Sequence, residues 1–183
     1  MSTADYPTFE PKTLREWRRW LREHHASARG VWLASDRRGA LSMRIGYAAA
    51  VEEALCYGWI DSQYRPEGER SRLLFTPRRP GSAWARSNRE RVARLITEGR
   101  MHPAGLAKVA AAKRDGSWSL LEAVEALTVP PDLRRALVAA NARARFAALS
   151  SSAKRAHLYA LATAKREETR ARRVVAIVRA LPA

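Results

Sequence analysis

The residue types that could do chemistry gather between Glu52 and Met101, where a carboxylate, an amide and guanidinium groups stand among tryptophans. By the alternation of side chains along a strand, Asp61 shares a face with Trp59. In the helix expected after Ser82, Trp84, Asn88, Arg91 and Leu95 fall on one face, so an amide and a guanidinium interrupt what should be core. A buried Asn88 needs partners, because an unpaired amide costs about 1–3 kcal/mol. Two readings follow. Trp59, Asp61, Arg78, Trp84 and Asn88 could line one pocket, in which the indoles stack a planar ligand, Arg78 fixes an anionic group, and Asp61 and Asn88 set its orientation. Alternatively they form a buried polar network in which Asp61 pairs with Arg78 or Arg91, since structural ion pairs perturb carboxylates as active sites do.

Three weaker candidates flank this group. Cys56 is the sole cysteine, and helical placement sets it beside Glu52 and Glu53, whose charge opposes the thiolate a nucleophile needs. Arg91 belongs to the helix face already described. His102 is the only histidine close to the central motifs, and a general acid or base role for it requires Asp61 nearby. His24 and His25 are adjacent on a helix and point apart, unlike a ligand pair at i, i+4. Without a Cys-x-x-Cys pair, a histidine cluster, a phosphate-binding Gly-x-x-x-x-Gly-Lys-Ser/Thr loop or a Gly-x-Gly-x-x-Gly turn, the sequence suggests no metal and no cofactor. It assigns no reaction.

Several elements must position these residues. Thr13-Leu14-Arg15-Glu16 is a capping-box pattern, and Leu14, Trp17 and Leu21 recur at helical spacing up to a stop at Gly30. Val31 to Ala34 reads as a short buried strand ending in a turn over Asp36 to Gly39. Tyr47 to Gly58 returns to helix, with Tyr47, Val51, Ala54 and Leu55 on the apolar face and Cys56 opposite. Trp59 to Tyr64 and Arg70 to Thr76 read as a hairpin turning over Arg65-Pro66-Glu67-Gly68. Ser82 is expected to cap a helix that runs to about Glu98 and stops at Gly99. A shorter helix follows over Pro103 to Arg114, then a turn at Asp115-Gly116-Ser117. Beyond it three helical segments are expected, Ser119 to Leu127, Asp132 to Leu149 and Ser151 to Leu181. Leu133, Leu137 and Val138 supply one apolar face there, and Val174, Ile177, Val178 and Leu181 another. The fold class is α+β: a small antiparallel sheet with packed helices over residues 1–116, and a helical C-terminal part over 117–183.

A chain of 183 residues can bury a core without disulfides, and a lone cysteine suits a reducing compartment. Met1 to Glu10 lacks a basic cluster followed by an apolar run, and no stretch is long and apolar enough to cross a bilayer, so the expectation is cytoplasmic without membrane insertion. Lys and Arg number 34 against 18 Asp and Glu, a net charge of +16. Such a field attracts phosphates or acidic surfaces, which makes a nucleic-acid or acidic-partner binder the second functional reading. It would use Arg86, Arg89, Arg91, Arg94 and Arg100 with the basic residues of the C-terminal helices. A solvated basic surface explains the same charge.

The segments Val51 to Ser62 and Phe75 to Asn88, with Gly99 to Gly105 and Ala164 to Arg170, resemble the YdeI/OmpD-associated family, also called bacteriocin-protection or OmdA-like proteins. The resemblance covers most of the chain. It implies an α+β N-terminal part and a helical C-terminal part, and it transfers no catalytic residue. The family name implies a third reading, resistance to bacteriocins or other cationic peptides, which a strongly cationic chain is poorly suited to provide.

Overall fold

A computed structural model describes residues 5–35 and 45–182. The chain is an α+β protein that divides into two compact units, Met1–Trp118 and Ser119–Ala183. The turn expected over Asp36 to Gly39 lies outside the described residues.

In the first unit, among the described residues, four strands form one sheet in the order β1-β2-β4-β3: β1 (Thr8–Phe9), β2 (Val31–Ser35), β3 (Trp59–Glu67) and β4 (Arg70–Pro77). β1 runs parallel to β2, and the other pairings are antiparallel. Alternation puts Val31, Leu33, Leu73 and Phe75 into the main core. There they meet α1 (Leu14–His24) and α2 (Tyr47–Cys56), and Trp17 anchors the layer through an indole N–H donated to the Ala50 carbonyl at 3.0 Å.

The capping box forms, offset by one residue. Thr13 Oγ1 accepts from the Glu16 amide at 3.2 Å, while Glu16 Oε2 accepts from the Lys12 amide at 2.7 Å instead of that of Thr13. The helix stops at His24, well before Gly30, and the imidazoles of His24 and His25 donate to the carbonyls of Trp20 and Leu21 in its last turn. Gly30 has another job: a Cβ there would lie 2.7 Å from the Tyr6 ring.

The hairpin turn is tighter than expected. Arg65 and Pro66 stay in the ladder opposite Arg72 and Ser71, and the reversal falls on Gly68 and Glu69. Proline is tolerated because β3 is an edge strand, and a positive φ at Gly68 (57°) but not at Glu69 fits a two-residue type II′ turn. A register shift between Asp61 and Tyr64 inserts one extra residue into β3.

Two further helices complete this unit, α3 (Arg86–Thr97) and α4 (Pro103–Arg114). α3 starts at Arg86, four residues after Ser82, whose hydroxyl donates to the Arg79 carbonyl at 2.6 Å and closes a turn instead of capping. Trp84 therefore precedes the helix. At the far end Gly99 adopts φ 66°, with its own amide and that of Arg100 bonded back to the carbonyls of Ile96 and Leu95. α4 packs end-on against α2 so closely that a Cβ on Gly105 would sit 2.2 Å from the Cys56 carbonyl oxygen.

The second unit is wholly helical among the described residues: α5 (Glu122–Glu125), α6 (Pro131–Ala139), α7 (Arg143–Ala148), α8 (Ser151–Ala162) and α9 (Glu167–Arg179). The long segments expected over Asp132 to Leu149 and Ser151 to Leu181 are each broken. Asn141 (φ 48°) ends α6 in a left-handed cap, with the Ala142 amide donating to the Leu137 carbonyl at 2.8 Å. The residues after Ala162 turn the chain from α8 into α9. These breaks let Leu133, Leu137, Phe146, Leu158, Leu161, Val174 and Ile177 share one core. Val138, expected on the buried face, is 56% exposed, since it lies about 100° round the helix from Leu137, off the face that Leu133 and Leu137 bury.

Candidate functional site

β4 ends by delivering Arg78 into the protein. Its amide donates to the Gly58 carbonyl at 2.9 Å, which fixes the backbone against the α2–β3 junction and sends the side chain inward. The guanidinium lies 3.7 Å from the centroid of the Trp84 ring, and Nη2 donates to the Ala83 carbonyl at 2.8 Å. Arg78 is 5% exposed, and its Nε has no hydrogen-bond partner. No carboxylate forms an ion pair with it among the described residues. Burial pushes its pKa down to about 10, and the charge of Asp61 opposes the shift only in part.

Arg78 and Trp84 line a cavity of about 60 Å³. Arg79 and Lys108 bring further positive charge to its lining, and Asp115 and Ser117 close it. The Ser117 amide donates to Asp115 Oδ1 at 2.9 Å and the Gly81 amide to Oδ2 at 3.2 Å. Ser117, together with the Gly81 amide, holds the Asp115 carboxyl below its usual range. Such a space holds about two waters or one small anion. Trp84 is backed by Trp118, with ring centroids 4.9 Å apart, so the aromatic wall is held from behind.

The remaining candidates are distributed around this cavity. Asp61 accepts a hydrogen bond from the Tyr47 hydroxyl at 2.9 Å. Burial, then that bond and the Asp61 charge, push Tyr47 up to about 12, with Arg91 pulling the other way. Asn88 Oδ1 accepts from Arg91 Nη1 at 3.1 Å, so its carbonyl is satisfied. Electrostatics thus link Tyr47, Asp61, Arg78 and Arg91, but Asp61 and Asn88 do not line the cavity that Arg78 and Trp84 share. Trp59 is set apart: it is 1% exposed, packs edge-on to Trp20 at 5.7 Å, and donates its indole N–H to the His25 carbonyl at 3.2 Å.

Cys56 is fully buried, contrary to its expected place on the polar side of α2, because α4 covers that side. Burial is the main cause of its raised pKa, Glu53 adds to it, and Arg18 and Arg100 oppose it. Glu53 itself is buried and ion-paired to both arginines, with Arg100 Nη2 at 2.6 Å. His102 caps α4, its Nδ1 accepting from the Ala104 amide at 3.2 Å, and its ring stacks on Tyr57. Burial, His25 and Arg18 all lower its pKa, so it is held neutral with its proton on Nε2. It faces Tyr57 and His25, whereas Asp61 is bonded to Tyr47.

Sequence reasoning missed Tyr47, Lys108 and Ser117. Tyr47 counted only toward an apolar helix face, and Ser117 only toward a turn. Of the arginines offered for nucleic acid, Arg86 bonds Glu90 at 2.7 Å, Arg94 pairs with Glu52 and Glu98, and Arg100 with Glu53 and Glu98. No group of three or more His, Cys, Asp or Glu suited to a metal occurs among the described residues, and no helix there is long and apolar enough to cross a membrane.

Residues 9–108 match a family described as a domain of unknown function, DUF8412, and residues 126–183 match the family described as bacteriocin-protection, YdeI or OmpD-associated. The first match spans more than half of the chain, which therefore belongs to the DUF8412 family and carries a YdeI/OmpD-associated segment at its C-terminal end. The Ala164 to Arg170 segment lies inside the YdeI/OmpD-associated match, whereas the central motifs lie in the DUF8412 match. No curated protein and no solved structure matches the chain.

Proposed function

We propose that this DUF8412-family protein binds a small anionic ligand in its first unit, with Arg78 as the charge that receives it and Trp84 as the wall beside it. The observation that carries this reading is a buried guanidinium with no carboxylate partner and an unbonded Nε, lining a cavity where Arg79 and Lys108 add positive charge against one carboxylate, Asp115. A buried cation without a counter-ion is costly, and a bound anion would supply the missing charge and hydrogen bond. The cavity's size limits the buried portion to a compact group such as a carboxylate or phosphate, so a larger ligand would keep its body outside. Asp61 and Tyr47, linked electrostatically to Arg78 or Arg91, would tune the field at the site without touching the anion. A cytoplasmic location belongs to the same proposal, supported by Cys56, the sole cysteine, buried as a free thiol.

The nucleic-acid reading has less support, because two of the four α3 arginines, Arg86 and Arg94, spend their charge on neighbouring carboxylates. Resistance to cationic peptides, suggested by the family description, would call for an acidic docking surface, and the net charge of +16 opposes one.

The test is thermal denaturation in the presence of inorganic phosphate and of short mono- and dicarboxylates, with Arg78→Met and Lys108→Gln beside the wild type. The midpoint of the wild type should rise with anion concentration and saturate. Arg78→Met should show no anion response, and Lys108→Gln a reduced one. An equal response in all three proteins would reject the site.

A further inference from the structure

The second unit holds a groove of about 620 Å³ whose character is opposite to that of the Arg78 cavity. Its floor and walls are apolar: Leu137 and Phe146 belong to the helical core, and Leu127 and Val129 stand beside them. Its only charged lining residues among those described are cations, Arg134 on α6, Arg143 at the start of α7 and Lys154 on α8. Lys154 is held at this edge by donating to the Ala147 carbonyl at 2.6 Å, near the end of α7. Neither Arg134 nor Arg143 has an ion pair among the described residues, although Asp132 is nearby in sequence, because that carboxylate is bound by Arg170 at 2.6 and 3.0 Å. The cationic edge is thus left uncompensated.

One backbone feature belongs to the groove. Leu127 adopts φ 54°, with its amide bonded to the Val124 carbonyl at 3.1 Å and the Thr128 amide to that of Ala123 at 2.8 Å. This is the helix-ending position that normally takes glycine, since a Cβ is strained there. A leucine at this position puts an apolar side chain into the groove wall, where glycine would leave a gap.

We propose that this groove binds a single-chain amphiphile with an anionic head, the chain lying over Leu127, Leu137 and Phe146 and the head meeting Arg134, Arg143 and Lys154. The volume lies within the range of small-molecule sites. An acidic helix is a poorer occupant. It lays one face into a groove and needs a row of pockets for anchors at i, i+3 or i+4 and i+7, whereas the large apolar lining here is confined to Leu127, Val129, Leu137 and Phe146. A polar anion alone would leave the apolar floor unused. The site is independent of the Arg78 cavity and stands whether or not that reading survives.

Calorimetric titration of the full chain with octanoate, decanoate and dodecanoate, each below its micelle concentration, tests the proposal. Binding should saturate at one per chain and tighten about three- to fourfold per added methylene, the gain expected for burying each CH₂. Decanol should bind at least fivefold more weakly than decanoate, and the double variant Arg143→Gln, Lys154→Gln should lose the same factor. Ala144→Trp, which fills the groove from an exposed lining position, should weaken decanoate at least tenfold, while Arg155→Gln, away from the lining, should leave it unchanged. Circular dichroism confirms that each variant stays folded. Absence of saturable binding, affinity independent of chain length, decanol binding as tightly as decanoate or equal loss in Arg155→Gln would overturn the proposal.

Discussion

The two units of this protein treat positive charge in opposite ways. The first takes ionic groups inside: Arg78 is buried against Trp84 with no carboxylate partner, and Glu53 is buried between Arg18 and Arg100. The second keeps its charges at the edge of an apolar groove, and its main ion pair, Asp132 with Arg170, has about a third of each side chain exposed. A charge in water costs little and attracts weakly, whereas a buried one must be compensated. Glu53 is compensated within the chain and Arg78 is not. That difference is the reason Arg78, and not Glu53, is proposed as the centre of a binding site, though both are polar groups in a core.

Matched substitutions put numbers on the contrast. Glu53→Gln should be the most damaging, costing about 2 kcal/mol, because it sets the N–H donors of a buried amide against the guanidinium donors of Arg18 and Arg100. Asp132→Asn should cost about 1 kcal/mol, since a partly exposed pair leaves Arg170 free to hydrate. Urea denaturation of both variants checks this, and equal costs would break the comparison. A smaller and pH-dependent effect is expected at Tyr47. Its folded pKa of about 12 lies above the ordinary value of 10, so the stability it contributes is complete below pH 10 and fades as pH rises toward 12. The difference in denaturation midpoint between wild type and Tyr47→Phe should therefore be flat up to pH 10 and shrink above it.

Much of the fold was legible because its signals are local. Thr13 caps α1, Gly99 closes α3, and α4 spans Pro103–Arg114 with His102 at its cap. The misread boundaries were decided by competing local bonds or by tertiary packing. Ser82 has the right chemistry for a cap but spends its hydroxyl on Arg79, and α1 ends at His24, with two imidazoles bonded into its last turn, before Gly30 is reached. Helical periodicity placed Cys56 outside, yet α4 folds over that face because Gly105 permits contact with the Cys56 backbone. No spacing rule reports such an approach. Arg78 and Trp84 were grouped by packing the hairpin on a helix, yet Trp84 precedes that helix and meets Arg78 from the loop before it. The lining contributed by Lys108 and Ser117 was not legible, since it depends on how α4 and the turn after it return to the end of β4.

The central claim is that Arg78 is kept for a ligand and not for the fold. Its lowered pKa corresponds to a penalty of about 3 kcal/mol on the folded state at neutral pH, offset in part by Trp84 and the Ala83 carbonyl. Without added anion, Arg78→Met should therefore unfold at the same or higher urea concentration than the wild type, since an apolar side chain of similar length fills the space without a charge. A loss of several kcal/mol on that substitution would contradict the account and assign Arg78 to the architecture of the first unit.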